Sequence, residues 1–238
     1  DIDYAAFKSI ADEVGAIAMT DASHFGGLVA GDAMKNPFDF GFDVVTTTTH
    51  KSLRGPRGGM ILCRKPFAKN IDKSVFPGLQ GGPHMNAVAA LAVTLLKAQG
   101  DEFRQYAQQV LKNAQALAKT LLGHQGHLVT GGTDNHMMVL DTMKTYDLDG
   151  RVAEETLDKA SITTNKQIIP DDPNPPLRPS GLRIGTPAAT ARGINEEHME
   201  QLGQWIHECR SSHDDEDHLA AVCNEVETFC QQFPVTGI

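Results

Sequence analysis

Residues 44–59 read VVTTTTHKSLRGPRGG. The β-branched run suits a pleated, half-buried strand, and the glycines and proline that follow require a turn. Lys51 therefore falls where a strand stops and a Gly-rich loop begins. Ligands of α/β sheets bind at the carboxyl ends of strands. A lysine held rigidly there, partly desolvated and with Arg54 and Arg57 nearby to disfavour its protonation, suits Schiff-base chemistry. The plain alternative is a solvated loop lysine, and on Lys51 alone that alternative prevails.

The flanking sequence sets the lysine in an alternating pattern. Upstream, DYAAFKSIADEVGA (3–16) has Tyr4, Phe7, Ile10, Ala11 and Val14 at helical spacing, with Gly15 as C-cap. AIAMTD (16–21) reads as a short buried strand ending at Asp21, and GGMILC (58–63) as a strand after the lysine loop. Short apolar strands alternating with helices predict an α/β sheet. Downstream, PHMNAVAALAVTLLKAQG (83–100) is an apolar helix closed by Gly100. The next helix starts at Asp101 as N-cap and carries Phe103, Tyr106, Val110, Leu117 and Leu121 on one face. HMMVLDT (136–142) and GLRIGT (181–186) are predicted strands, DGRVAEETLDKA (149–160) a helix. Two helices close the chain, the last striped by Leu219, Val222, Cys223, Val226, Phe229 and Cys230. A boundary is placed at 104/105, giving domains 1–104 and 105–238. The Pro-rich PDDPNPPLRPSG (170–181) is expected to be a rigid surface loop.

The chain has 238 residues, 40% hydrophobic and 21% charged, with a formal net charge of −9. That balance argues against a general nucleic-acid or anionic-membrane binder, while leaving room for a local cationic pocket. No apolar run approaches the roughly 18 residues of a membrane span, and no signal-peptide pattern is present. Cys63, Cys209, Cys223 and Cys230 lack metal-site spacing. They are expected to be reduced core thiols of a cytoplasmic protein, with Cys223 and Cys230 on one buried helix face.

Further residues suit the same chemistry. Asp21, at a strand end, is placed either to pair with a buried cation such as a protonated pyridine nitrogen or to cap a helix. His24 is placed to bond or stack against a ring, though lone histidines are more often structural. Arg183, between apolar and glycine neighbours, offers the two-pronged fork that binds a carboxylate. QGGP (80–83) precedes a helix and offers backbone N–H groups to a phosphate, a weak signal by itself. HQGH (124–127) and HECRSSHDDEDH (207–218) raise a metal hypothesis, but their spacing fits solvated polar connections better; no metal is expected.

Four motifs, MTDASHFGGLVAG (19–31), VVTTTTHKSLRGPRGG (44–59), GLQGGPHMN (78–86) and SGLRIGTPAATARG (180–193), closely resemble serine hydroxymethyltransferase in order and spacing. The resemblance covers essentially the whole chain. It implies an aspartate-aminotransferase-like (fold type I) pyridoxal-phosphate enzyme, here a partial large domain followed by a small C-terminal α/β domain. By resemblance, Lys51 carries pyridoxal phosphate, Asp21 pairs with its ring nitrogen, His24 lies near its phenolic oxygen, His50 sits beside it and Thr48 lies in the strand that feeds the site. Arg183 holds the substrate carboxylate and Arg57 braces the turn. Gly81 and Gly82 serve the cofactor phosphate of a neighbouring subunit, so a homodimer or homotetramer is implied.

The implied reaction interconverts L-serine plus tetrahydrofolate with glycine plus 5,10-methylenetetrahydrofolate. Gln167, in TTNKQIIP (163–170), stands where many members carry asparagine in a pterin-contacting loop. The chain starts in the middle of the family's large domain, so it is expected to be a C-terminal portion, inactive alone, while FPVTGI (233–238) reads as a natural end. The alternatives are a folate-independent pyridoxal-phosphate aldolase of β-hydroxy amino acids and a non-catalytic fragment.

Overall fold

The computed structural model describes residues 2–235; Asp1 and residues 236–238, half of the expected natural end, lie outside them. The chain divides into two compact units, one up to Gln108 and one from Gln109 onward. The first holds α1 (Tyr4–Glu13), β1 (Met19–Asp21), α2 (Gly26–Ala30), a 3-10 turn (Pro37–Phe40), β2 (Val44–Thr48) and β3 (Gly59–Cys63). There follow α3 (Lys65–Lys73), a π-type turn (Ser74–Leu79), α4 (Met85–Ala98) and the start of α5 (Asp101–Gly123). α5 runs through the division, and the 104/105 position lies inside it.

β1 pairs parallel with β2, and β2 antiparallel with β3, in the order β1-β2-β3. Val45 and Thr47 face one side of β2 and Thr46 and Thr48 the other, as the two-residue period of a strand requires. α1 is capped by Asp3, whose side chain accepts from the Ala6 N–H at 3.0 Å. It buries Tyr4 and Ala11 against Ala18 and Phe42, and Phe7 stacks on Phe42 with ring centroids 5.5 Å apart. Ile10 and Val14, expected on the same apolar face, are exposed.

The second unit contains the rest of α5, β4 (Met137–Asp141), α6 (Thr142–Tyr146), α7 (Gly150–Lys159), β5 (Asn165–Gln167) and β6 (Gly181–Gly185). α8 (Pro187–Ala191), α9 (Glu196–Ser211) and α10 (Glu216–Cys230) complete it. Its sheet is antiparallel in the order β4-β6-β5. One face buries Met138, Leu140, Leu182 and Ile184 in a core shared with Leu117, Leu121, Leu157, Met199, Trp205, Ile206, Leu219, Val222 and Val226. Polar side chains fix the helix starts. Asp149 accepts from the Arg151 and Val152 N–H groups, and Asn195 and His198 form a reciprocal capping box.

Two expectations are corrected here. Only Cys209 is buried; Cys63, Cys223 and Cys230 are half-buried. Cys223 lies 3.2 Å from the Ser161 hydroxyl at the edge of α10, so the heptad pair does not face the core squarely. The histidines are not simply solvated either. His124 and His207 stack at 4.3 Å with their planes 11° apart. Among the described residues no group of three or more His, Cys, Asp or Glu is placed to hold a metal.

Candidate active site

The first unit gathers the expected residues at one end of its sheet. Because β1 and β2 run parallel with Asp21 opposite Thr46, their carboxyl ends bring Asp21, Thr48, His50 and Lys51 to the same edge. The Lys51 amine lies 3.2 Å from Nε2 of His24. The His24 turn is tied to the lysine turn by Ser52, a buried residue. The Ser52 hydroxyl donates to the His24 carbonyl at 2.9 Å and accepts from the Gly27 N–H at 3.0 Å. A Cβ on Gly27 would stand 2.2 Å from the Ser52 carbonyl carbon, so only glycine permits this approach.

Asp21 caps no helix: α2 starts at Gly26 with Phe25 as its N-cap. The Asp21 Oδ1 accepts from the Ser23 hydroxyl at 2.5 Å and the Ser23 N–H at 2.9 Å, a local turn bond. The Ser23 hydroxyl chiefly holds the carboxyl below the usual aspartate range; burial opposes this, and the Ser23 N–H, Thr46 and the Lys51 charge add to it. The outcome is a carboxylate firmly ionised on the wall of a cavity of about 1050 Å³. Thr46, Thr48, Arg57, Gly58, His84 and Val88 share that wall, whereas Lys51 and His24 stand outside it. Thr48 donates to the Ser23 carbonyl at 2.9 Å. His50 Nδ1 accepts from the Gly58 N–H at 3.3 Å, which closes the Gly-rich loop.

Arg54 takes a different place from the one expected. It adopts φ +61°, and its guanidinium lies 3.9 Å from the Tyr106 ring centroid and 5.2 Å from that of Phe103. The loop is thereby clamped to the first turns of α5, and Arg54 is engaged with these rings. Gly81 and Gly82 are exposed, and a Cβ on either would meet nothing within 4 Å.

In the second unit, Arg183 on β6 is half-buried and opposite Asn165 on β5, to whose Oδ1 it donates at 3.3 Å. Gln167 lies two residues along the same strand, so Arg183, Asn165 and Gln167 share one face of the sheet. Lys166 points the other way, pairing with Glu154 of α7 at 2.5 Å. Ser23, Thr46, Ser52 and Arg54 were not singled out for these positions. The only sequence signal for the first three was membership of the DASH, TTTT and HKS strings.

The arrangement fits an aldehyde cofactor bearing a phosphate and a basic ring. It has an amine beside an imidazole, an ionised carboxylate on a roomy wall, and an exposed glycine pair, Gly81 and Gly82. That is the class: an α/β protein with a lysine-centred site at its strand ends. The family model for serine hydroxymethyltransferase matches residues 1–206. The chain is 49% identical over 237 residues to a serine hydroxymethyltransferase of Sorangium cellulosum (strain So ce56), covering 100% of this chain and 56% of that one. It is 49% identical over 235 residues to one of Acidobacterium capsulatum (99% and 55%) and 47% over 237 residues to one of Desulfotalea psychrophila (100% and 55%). The chain belongs to the serine hydroxymethyltransferase family, whose members are pyridoxal-phosphate proteins of fold type I. It spans only a little over half the length of these curated relatives.

Proposed function

We propose that the protein carrying this chain is a pyridoxal-phosphate-dependent serine hydroxymethyltransferase, interconverting L-serine plus tetrahydrofolate with glycine plus 5,10-methylenetetrahydrofolate. The observation that carries the reading is the Lys51 amine 3.2 Å from His24, at the strand end where Asp21 also lies. On this reading the chain is the C-terminal portion of the enzyme, with a pyridoxal-phosphate domain followed by a small domain. It works as a homodimer or homotetramer in the cytoplasm, with small-molecule substrates and no nucleic-acid or membrane partner.

When bound, pyridoxal phosphate supplies an electron sink for the pair released as the Cα–Cβ bond of serine breaks. The chain's residues do the rest. Lys51 offers the amine that holds the cofactor, and His24 is placed to exchange a proton with that amine. Asp21 supplies the counter-charge that a protonated ring nitrogen requires. Thr48 and His50 brace the strand end and the Gly-rich loop, and Arg57 presents a cation on the cavity wall. Arg183 binds the substrate carboxylate as a two-pronged donor. Gln167 offers its amide to the pterin of tetrahydrofolate. Gly81 and Gly82 donate backbone N–H groups to the phosphate in a neighbouring subunit.

The test is chemical. After incubation with pyridoxal phosphate, borohydride reduction and digestion, one stoichiometric label is expected on Lys51, lost in Lys51→Ala. Scattered weak labelling over many lysines would overturn the assignment. Serine cleavage should also become very slow without tetrahydrofolate; an undiminished rate would make the protein a folate-independent aldolase.

A further inference from the structure

β5 is a weak element on which two of the proposed substrate contacts depend. It is a three-residue edge strand, Asn165–Gln167, joined to β6 by the long Pro-rich loop 168–180. Its residues are polar; three residue pairs hold it to β6, and on its outer side only Lys166, among the described residues, is held, its N–H donating to Glu154 of α7 at 3.1 Å and its amine pairing with the same carboxylate. A slip of one residue would turn Gln167 and Asn165 to the opposite face and leave Arg183 beside a different neighbour.

The far end of the loop is fixed without help from β5. The Ser180 carbonyl accepts from the Thr142 N–H at 2.9 Å and the Thr142 hydroxyl at 3.0 Å. The Pro179 carbonyl accepts from the Gly150 N–H at 2.6 Å, and Arg178 pairs with Asp149 at 2.6 Å. The near end is tied to this anchor by one side chain, Asp172. Its Oδ2 accepts from the Ile169 N–H at 3.2 Å, just past β5, and from the Ser180 N–H at 2.9 Å, just before β6. Its Oδ1 accepts from the Ser180 hydroxyl at 2.6 Å and the Asn174 N–H at 3.0 Å. Both carboxylate oxygens are thus in use, one of them joining the two ends of the loop. Burial by itself would raise this carboxyl, but the Ser180, Asn174 and Ile169 bonds bring it down to about 2, so it is ionised at neutral pH. Gly181 completes the junction, since a Cβ there would lie 2.6 Å from the Gln167 carbonyl oxygen.

We propose that Asp172 is a positioning residue: by tying Ile169 to Ser180 it locks the register of β5 on β6 and so keeps Arg183 and Gln167 together on the open face of the sheet. The proposal rests on the substrate roles given above to Arg183 and Gln167; the lock itself does not.

The test uses the whole protein and Asp172→Asn, which preserves size but turns an amide N–H₂ toward two of the donors. Without cofactor, hydrogen exchange of the 165–169 amides should accelerate at least about tenfold, the scale of one lost charge-assisted bond. With pyridoxal phosphate bound, affinity for glycine should fall about tenfold while affinity for glycinamide, which lacks the carboxylate, stays unchanged. Asp172→Ala, which removes both acceptor oxygens, should shift both readings the same way by at least as much. Unchanged exchange in either folded variant overturns the lock. Accelerated exchange with an unchanged glycine-to-glycinamide ratio overturns the positioning role. If the unaltered protein itself does not prefer glycine, the carboxylate role of Arg183 fails and the positioning role fails with it, while exchange still decides the lock.

Discussion

At the scale of single residues, the site is built by small hydroxyl side chains as much as by its lysine. Ser52 ties the His24 turn to the Lys51 turn through two bonds made in a buried setting. Removing its hydroxyl leaves the Gly27 N–H without that acceptor, a loss of about 1–3 kcal/mol. Ser52→Ala is therefore expected to lower the melting temperature and to slow formation of the Lys51 adduct with pyridoxal phosphate, because His24 is no longer held against the amine. Calorimetry and absorbance stopped-flow measure the two effects. An unchanged adduct rate would show that Ser52 serves stability alone. Asp21 illustrates a related economy: the bond pattern of a local turn also keeps its carboxylate ionised.

At the scale of elements, α9 presents a titratable stack. His207 packs face to face with His124 from the end of α5, and its ring nitrogen lies 3.5 Å from the Tyr146 hydroxyl. Burial chiefly depresses the His207 pKa below 6.5; the neighbouring His124 adds to this, and Glu208 opposes it. A histidine whose folded pKa is lowered takes up its proton more readily when unfolded, so stability falls as pH drops below about 6.5 and levels off once the folded pKa is passed. The melting temperature should decline over that window. His207→Phe keeps an aromatic ring against His124 and should flatten the decline; an identical slope in the variant would remove the stack as its cause.

For the whole molecule, the distribution of apolar surface matters more than its amount. In the first unit, α4 buries only Ala98, leaving Met85 at 65% and Leu96 at 70% exposure, while Leu79 in the turn before it reaches 86%. Exposed apolar patches of this kind mark surfaces that associate, and the first sheet has only three strands, with β1 and β3 at its edges. The polypeptide of these 238 residues is expected to self-associate in light scattering, and Leu79→Glu with Leu96→Glu should reduce that association. A monodisperse sample melting cooperatively without the substitutions would count against this reading. Among the described residues no helix is long and apolar enough to cross a membrane.

The sequence determined where strongly patterned elements lie. The Thr-rich strand, the strand ending at Asp21 (though Met19 and Asp21 are exposed, not buried as expected), the long α5 helix with Phe103, Tyr106, Val110, Leu117 and Leu121 all buried, and the two closing helices follow from local periodicity and end signals. The four motifs also carried the family. Tertiary structure decided elements whose local preference is weak. β5 is three polar residues and becomes a strand only through pairing with β6, α2 is five residues with two glycines, and α3 has no buried residue to announce a core-facing stripe. It likewise decided that Arg54 stacks on Tyr106 and Phe103, that Ser52 bridges two turns, and that Asp172 joins the ends of a loop. Periodicity along a chain reports which face of an element is apolar. Bonds between residues distant in sequence depend on how the backbone returns on itself, and only the folded chain specifies that.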